Sequence, residues 1–160
     1  MTSAIKESKI HLRPAAPEDC ELVFGWRNLP EIVHLSSSRR EISASEHREW
    51  YNSVLIDPNR PMFLIEVSSS PVGLIRFEIN NSNEAEISVY LIPKMTGRGI
   101  GALAILKGCD VLSAQNSVKK IIAKIRRDNS RSIDVFSKCG FKRTTESKLL
   151  HQHITLFKTL

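Results

Sequence analysis

Three glycines fall within the six residues Thr96, Gly97, Arg98, Gly99, Ile100 and Gly101, between an alternating strand-like stretch that ends at Leu91 and an apolar stretch of helical spacing that begins near Ile100. No other segment restricts the fold as much. Glycine lets a backbone approach a ligand without a Cβ, and the first amides of a helix are unpaired donors at the positive end of its dipole. A strand, a glycine loop and a helix in this order therefore make a seat for phosphate oxygens. A plain glycine-rich strand-to-helix turn is the alternative. Spacing excludes two other phosphate loops. A Walker loop needs Lys and then Ser or Thr after its last glycine, where this chain has Ala102 and Leu103. A dinucleotide fingerprint needs an opening βαβ unit with an acidic residue about 20 positions further on.

The elements around the loop alternate. Residues 9–13 read as a strand, and Pro17 with Glu18 and Asp19 opens a helix to about Trp26, which Asn28 and Pro30 end. Ser43 and Glu46 form an S-x-x-E capping box for a second helix to about Leu55, and 57–61 is a turn. Strands are expected at 62–67, 72–80 and 84–91, the last two joined through Asn81, Ser82 and Asn83. A helix at 100–113, a β-branched run at 121–125 and a helix at 130–138 follow, with Gly140 at the C-cap. Residues 143–160 should supply two more strands. The order predicts an α/β fold, a mixed sheet with helices on both faces.

One domain, 1–160, accounts for the 160 residues, and 41% hydrophobic content suffices for a core. Cys20, Cys109 and Cys139 are odd in number and widely spaced, which argues against a disulfide framework and a zinc site and fits a reducing compartment. No apolar run is long enough to span a bilayer and no signal-peptide core precedes the first strand, so a cytoplasmic protein without membrane attachment is expected. The net charge of +6 favours an anionic partner, a nucleotide, a phosphate or nucleic acid. Lys119, Lys120, Lys124, Arg126 and Arg127 form a basic stretch without interleaved aromatics, which speaks against nucleic acid and for solvated surface near a ligand's phosphates.

Two motifs in order resemble the GNAT superfamily of acetyl-coenzyme A dependent N-acetyltransferases. The loop is similar to the family signature of Arg or Gln, two residues, Gly, one residue, Gly or Ala, with Thr96 in place of the first residue. Asn129, Ser132 and Phe136 followed by Lys138, Cys139, Gly140 and Phe141 resemble the family's second motif. The likeness runs from Ile10 through Phe157. It implies a GNAT-like, mainly antiparallel central sheet and acetyl-CoA as cosubstrate. It also implies pyrophosphate contacts from the amides of Gly97, Arg98, Gly99, Ile100, Gly101 and Ala102, and coenzyme contacts from Asn129, Ser132 and Phe136. The backbone of Val89, Tyr90 and Leu91 would hold the pantetheine. Asn129 read alone is a helix cap. Many members carry a tyrosine acid where this chain has Phe136, and Tyr90 is the substitute proton donor, unless it is simply a packed strand aromatic.

Strand alternation puts Glu84, Glu86, Ser88 and Tyr90 on one face, and the three-residue loop sets Glu78 opposite Glu86. Two carboxylates that close cannot both ionise cheaply unless Arg76 compensates. Glu86 and Glu78 are therefore candidate bases for removing the proton of an attacking amine, with a solvated polar edge as the alternative.

Acceptor-binding candidates are Trp26, Arg27, Asn28, His47, Trp50 and Arg76. Their arrangement resembles GNAT enzymes acting on amino sugars carried by nucleotides, including the pseudaminic acid branch. Tryptophans stack on bases or sugars and arginines bind phosphate, but Trp26 and Trp50 also read as helix core and His47 as a surface or capping residue. The partner is then a small-molecule amine. A protein N-terminal amine, as in ribosomal-protein acetyltransferases, is the second reading, and a non-catalytic module binding CoA or nucleic acid is the third. Self-association as a homodimer is compatible with all three.

Overall fold

The computed structural model describes residues 5–115, 117–145 and 152–160. Its seven strands form one sheet in the order β1-β2-β3-β4-β5-β7-β6. They are β1 (Ile10–Pro14), β2 (Met62–Val67), β3 (Ser70–Ile79), β4 (Glu84–Leu91), β5 (Lys120–Arg126), β6 (Lys142–Arg143) and β7 (His153–Thr159). Every pairing is antiparallel except β4 with β5. The helices are α1 (Cys20–Arg27), α2 (Pro30–Leu35), α3 (Ala44–Leu55), α4 (Ile100–Ala114) and α5 (Ser130–Lys138).

Alternation along the strands sorts the side chains into two cores. On one face Ile75, Phe77, Ala85, Ile87, Ile121 and Ala123 pack with Ile100, Ala104, Ile105 and Leu112 of α4 and Phe136 of α5. On the other, Leu64 and Leu74 pack with Val23 and Trp26 of α1 and Tyr51 and Val54 of α3. Helices thus cover both faces, as the sequence predicts. Gly108 lets α4 sit flat on β3: a Cβ there would lie 2.8 Å from the Phe77 ring and 2.9 Å from Ile75.

Two local expectations change. Pro30 ends α1 but also opens α2 as its first residue, where a missing N–H costs nothing. Ser43 does cap α3, accepting from Glu46 N at 3.1 Å, but the Glu46 carboxylate turns to Arg40 at 2.5 Å, so only half of the capping box forms. The expected tail strands appear as β6 and β7; 146–151 of that tail lie outside the described residues.

Candidate active site

The parallel pair β4 and β5 is in register at only three positions, Glu84 with Lys120, Ala85 with Ile121 and Glu86 with Ile122. Beyond them both strands continue unpaired to one another, β4 to Leu91 and β5 to Arg126. A gap therefore opens in the middle of the sheet. On its other side β4 keeps its full pairing with β3, and the bonds Asn80 N to Glu84 O and Ile92 N to Val72 O show that the even-numbered residues of β4 direct their amides and carbonyls toward β3. By alternation, Ile87, Val89 and Leu91 direct theirs into the gap. Of the three backbones expected to hold pantetheine, those of Val89 and Leu91 face the gap. That of Tyr90 is engaged with β3 opposite Leu74.

The gap leads to the glycine loop. Gly97 and Gly99 have φ of 76° and 80°, left-handed conformations that glycine adopts without strain. Gly99 is the N-cap of α4 and no side chain caps that helix, so the first amides of α4 keep free donors. Around Gly97 and Gly99 nothing lies within 4 Å of the Cβ position. Open space, free amides and a dipole end fit a pyrophosphate. The Thr96 Oγ1 donates inward to Pro93 O at 2.9 Å.

The second motif is placed differently. Asn129 caps α5, its Oδ1 accepting from Ser132 N at 3.2 Å. Phe136 is buried and meets Phe141 edge to face, with ring centroids 5.0 Å apart. Its side chain is core, which corrects the expected coenzyme contact to a supporting place.

On the face of the sheet under α1 and α3, Glu78 and Glu86 are direct neighbours across β3 and β4, as expected. The repulsion expected between them is answered by separate cations. Glu86 meets Lys124 Nζ at 2.7 Å, and Glu78 lies 3.4 Å from Arg60 and 3.7 Å from Arg76. Lys120 likewise pairs with Glu84 at 2.8 Å. Lys120 and Lys124 are thus solvated surface, as expected, and also cross-strand partners of the β4 carboxylates. Sequence reasoning missed Lys124 and Arg60 as site residues. The alternation of Lys120 and Lys124 against Glu84 and Glu86 was the available signal, but only for a reader who knew that β4 and β5 run parallel. Glu78, Glu84, Glu86, Ile122 and Lys124 line a cavity of about 440 Å³.

Beside it, the Arg76 guanidinium lies 5.4 Å over the Trp50 ring. Its side chain is 28% exposed, and burial, opposed by Glu78, makes its charge costly to hold. Tyr90 is half-buried, and its hydroxyl is enclosed and meets no partner among the described residues. Burial pushes its phenol well up against the pull of Arg27 and Arg76, so the proton stays on the oxygen at neutral pH.

Three other acceptor candidates serve the scaffold. Trp26 is buried in the core of α1 and α3. Asn28 uses both amide atoms on Ile42, 2.8 Å to its carbonyl and 2.9 Å from its N–H, and so pins the chain before α3. His47 is fully buried among Phe24, Trp50 and Tyr51, with Nε2 3.2 Å from Cys20 O, which corrects its expected surface or capping place and removes it from an acceptor's reach. Arg27 is half-buried, its guanidinium donating to Arg40 O at 3.3 Å and to Ser38 Oγ at 3.3 Å.

A sheet parted beside an uncapped helix start offers a seat to an extended ligand that carries phosphate at one end. Residues 9–142 match the family model described as "Acetyltransferase (GNAT) domain". The chain belongs to the GNAT acetyltransferases and is an acetyl-CoA dependent N-acetyltransferase. It is 26% identical over 164 residues to an N-acetyltransferase 9-like protein of Nematostella vectensis, covering 93% of this chain and 82% of that one. It is 24% identical over 133 residues to acetyltransferase PseH of Campylobacter jejuni, covering 82% of each. The structure of RimL, a ribosomal L7/L12 alpha-N-protein acetyltransferase in complex with coenzyme A, superposes with a TM-score of 0.85 at 16% identity, covering 96% of this chain and 95% of that one.

Proposed function

We propose that the acetyl group goes to the amine of an amino sugar carried on a nucleotide. The observation that carries this reading is Arg76 held over Trp50, with Arg60 and Arg76 both drawn to Glu78. Two guanidinia against one carboxylate leave a positive balance beside an aromatic face, which suits a phosphate joined to a sugar or base. Similarity to PseH points to the same branch as the tryptophan and arginine pattern.

In this reading the amides of Gly97 to Ala102 hold the pyrophosphate of acetyl-CoA, which supplies an activated acetyl group, and the backbones of Val89 and Leu91 receive the pantetheine in the gap. Glu86, on the strand bordering the gap, takes the proton of the attacking amine, directly or through one water. Glu78 stands one strand further away, fixed by Arg60 and Arg76, and serves to position Arg76. Tyr90 donates a hydrogen bond rather than its proton, because transfer from so weak an acid to a thiolate whose own pKa is near the cysteine reference of about 8.5 runs uphill.

The test is thiol release from acetyl-CoA with nucleotide-linked amino sugars, the free amino sugars, and peptides with free N-termini. Preference for the nucleotide-linked amines, lost in Arg76→Met with coenzyme binding intact, supports the reading. Transfer to peptides alone replaces it with the N-terminal protein acetyltransferase reading.

A further inference from the structure

Lys124 brings an amine of the protein's own to the apex of the gap. It stands two residues past Ile122, the last residue of β5 paired with β4, on the same face as Ile122 and Lys120, and its Nζ reaches back to Glu86 at 2.7 Å. Its side chain is 56% exposed and borders the same cavity of about 440 Å³ as Glu78 and Glu86. Any acceptor amine must arrive beside Glu86 to lose its proton there, and the Lys124 amine is already at that place.

We propose that Lys124 is a self-acetylation site, modified by the enzyme's own acetyl-CoA when no acceptor is present. The inference rests on the reading of the gap as the seat of the thioester. In the step Glu86 takes a proton from the Lys124 ammonium, and the freed Nζ attacks the thioester carbonyl. An N–C bond forms and the C–S bond breaks, with the electron pair leaving on sulfur. The attacking nitrogen sheds its second proton, which ends on the thiolate, giving an amide and free CoA thiol. Holding both reactants in one place raises their effective concentration far above that in free solution. Glu86 passes its proton to solvent, and because the amide carries no charge the ion pair is not restored and the carboxylate faces the cavity.

Lys138 is the internal control, because it too is an exposed lysine in an ion pair, 2.8 Å from Asp134, but it lies on α5. The protein is incubated with acetyl-CoA without acceptor and its peptides are mapped by mass spectrometry over time. Lys124 is expected to gain acetyl at least about tenfold faster than Lys138, and Gly99→Glu, which puts bulk and negative charge where the pyrophosphate sits, is expected to bring the two to the same rate. A second measurement does not depend on transfer: CoA, which has no acetyl group, should shield Lys124 but not Lys138 from acetic anhydride. Equal rates at the two lysines, in a wild-type protein that binds CoA and acetylates an external amine, overturn the proposal and leave the enzymatic reading standing. A Lys124 that CoA does not shield, in a protein that CoA does not stabilise against heat, overturns the seat itself.

Discussion

The guanidinium of Arg39 meets the carboxylate of Asp128 at 2.5 Å. Arg39 belongs to the loop between α2 and α3 and has φ of 49°, and Asp128 belongs to the turn between β5 and α5, so the bond ties the loop proposed to border the acceptor to the far wall of the gap. Asp128 also lies 3.5 Å from Arg126, and these two cations hold its carboxyl below the usual range, Arg39 foremost. Exposed pairs of this kind contribute little to stability, because water and salt screen them. The bond therefore acts by placing a loop rather than by stabilising the fold. Arg39→Ala should leave the melting temperature within about 2 °C and CoA affinity unchanged, while KM for the acceptor rises several-fold, as steady-state kinetics with each substrate varied in turn would show.

Tyr90 should trade stability against turnover. An enclosed hydroxyl without a partner costs about 1–3 kcal/mol relative to an apolar group of the same shape. Tyr90→Phe is expected to stabilise the ligand-free protein by about 1 kcal/mol in denaturant unfolding and to slow turnover by up to about tenfold, with the alkaline limb of the pH profile unmoved. Movement of that limb would restore Tyr90 as a proton donor.

The glycine loop separates two kinds of glycine. At Gly101 a Cβ would make ordinary contacts, 3.8 Å from Leu91 and 4.0 Å from Val135, whereas Gly99 has space but a left-handed φ of 80°. Gly101→Ala should keep both stability and the thermal shift produced by CoA. Gly99→Ala should lose about 1 kcal/mol and a large part of that shift, because alanine is strained at the position that aims the first amides of α4. Differential scanning fluorimetry with and without CoA distinguishes the two.

His47 should give the fold a mild acid sensitivity. Burial lowers its pKa, with the Cys20 carbonyl opposing, so the unfolded chain takes up a proton at a pH where the folded chain does not. Stability is full above the ordinary histidine value of about 6.5 and falls as the pH drops from there toward the lowered folded value. Urea unfolding between about pH 7 and pH 5 should show this slope, and His47→Phe, if it folds, should flatten it.

The register of Glu78 opposite Glu86 was legible because the turn is local: Asn83 takes a left-handed φ of 59°, and Asn80 Oδ1 accepts from the amides of Ser82 and Glu84. The glycine loop and the caps at Ser43 and Asn129 were legible for the same reason. What those carboxylates touch was not. Lys124 reaches Glu86 across 38 positions of sequence, and Arg60 reaches Glu78 from the turn before β2. Such pairings follow from sheet order, which a periodicity of two does not encode. The burial of His47 was hidden in a different way. Its helix carries Glu46, Arg48 and Glu49 around it, and only the docking of α1 decides that this polar residue lies on the inner side.

The three-position pairing of β4 with β5 makes the sheet two fabrics joined by a short seam, one woven from β1 to β4 and the other from β5, β7 and β6. Each is hydrogen-bonded within itself, and neither depends on the other near the open end. Pantetheine amides laid along Val89 and Leu91 would continue the seam with a length of main chain that no codon specifies. Hydrogen exchange should register this as slowing on CoA binding, confined to the gap-facing amides of β4, while their neighbours already tied to β3 keep the rates they had. A cosubstrate bound in this way would act as one of the strands by which the folded enzyme holds its two halves in line.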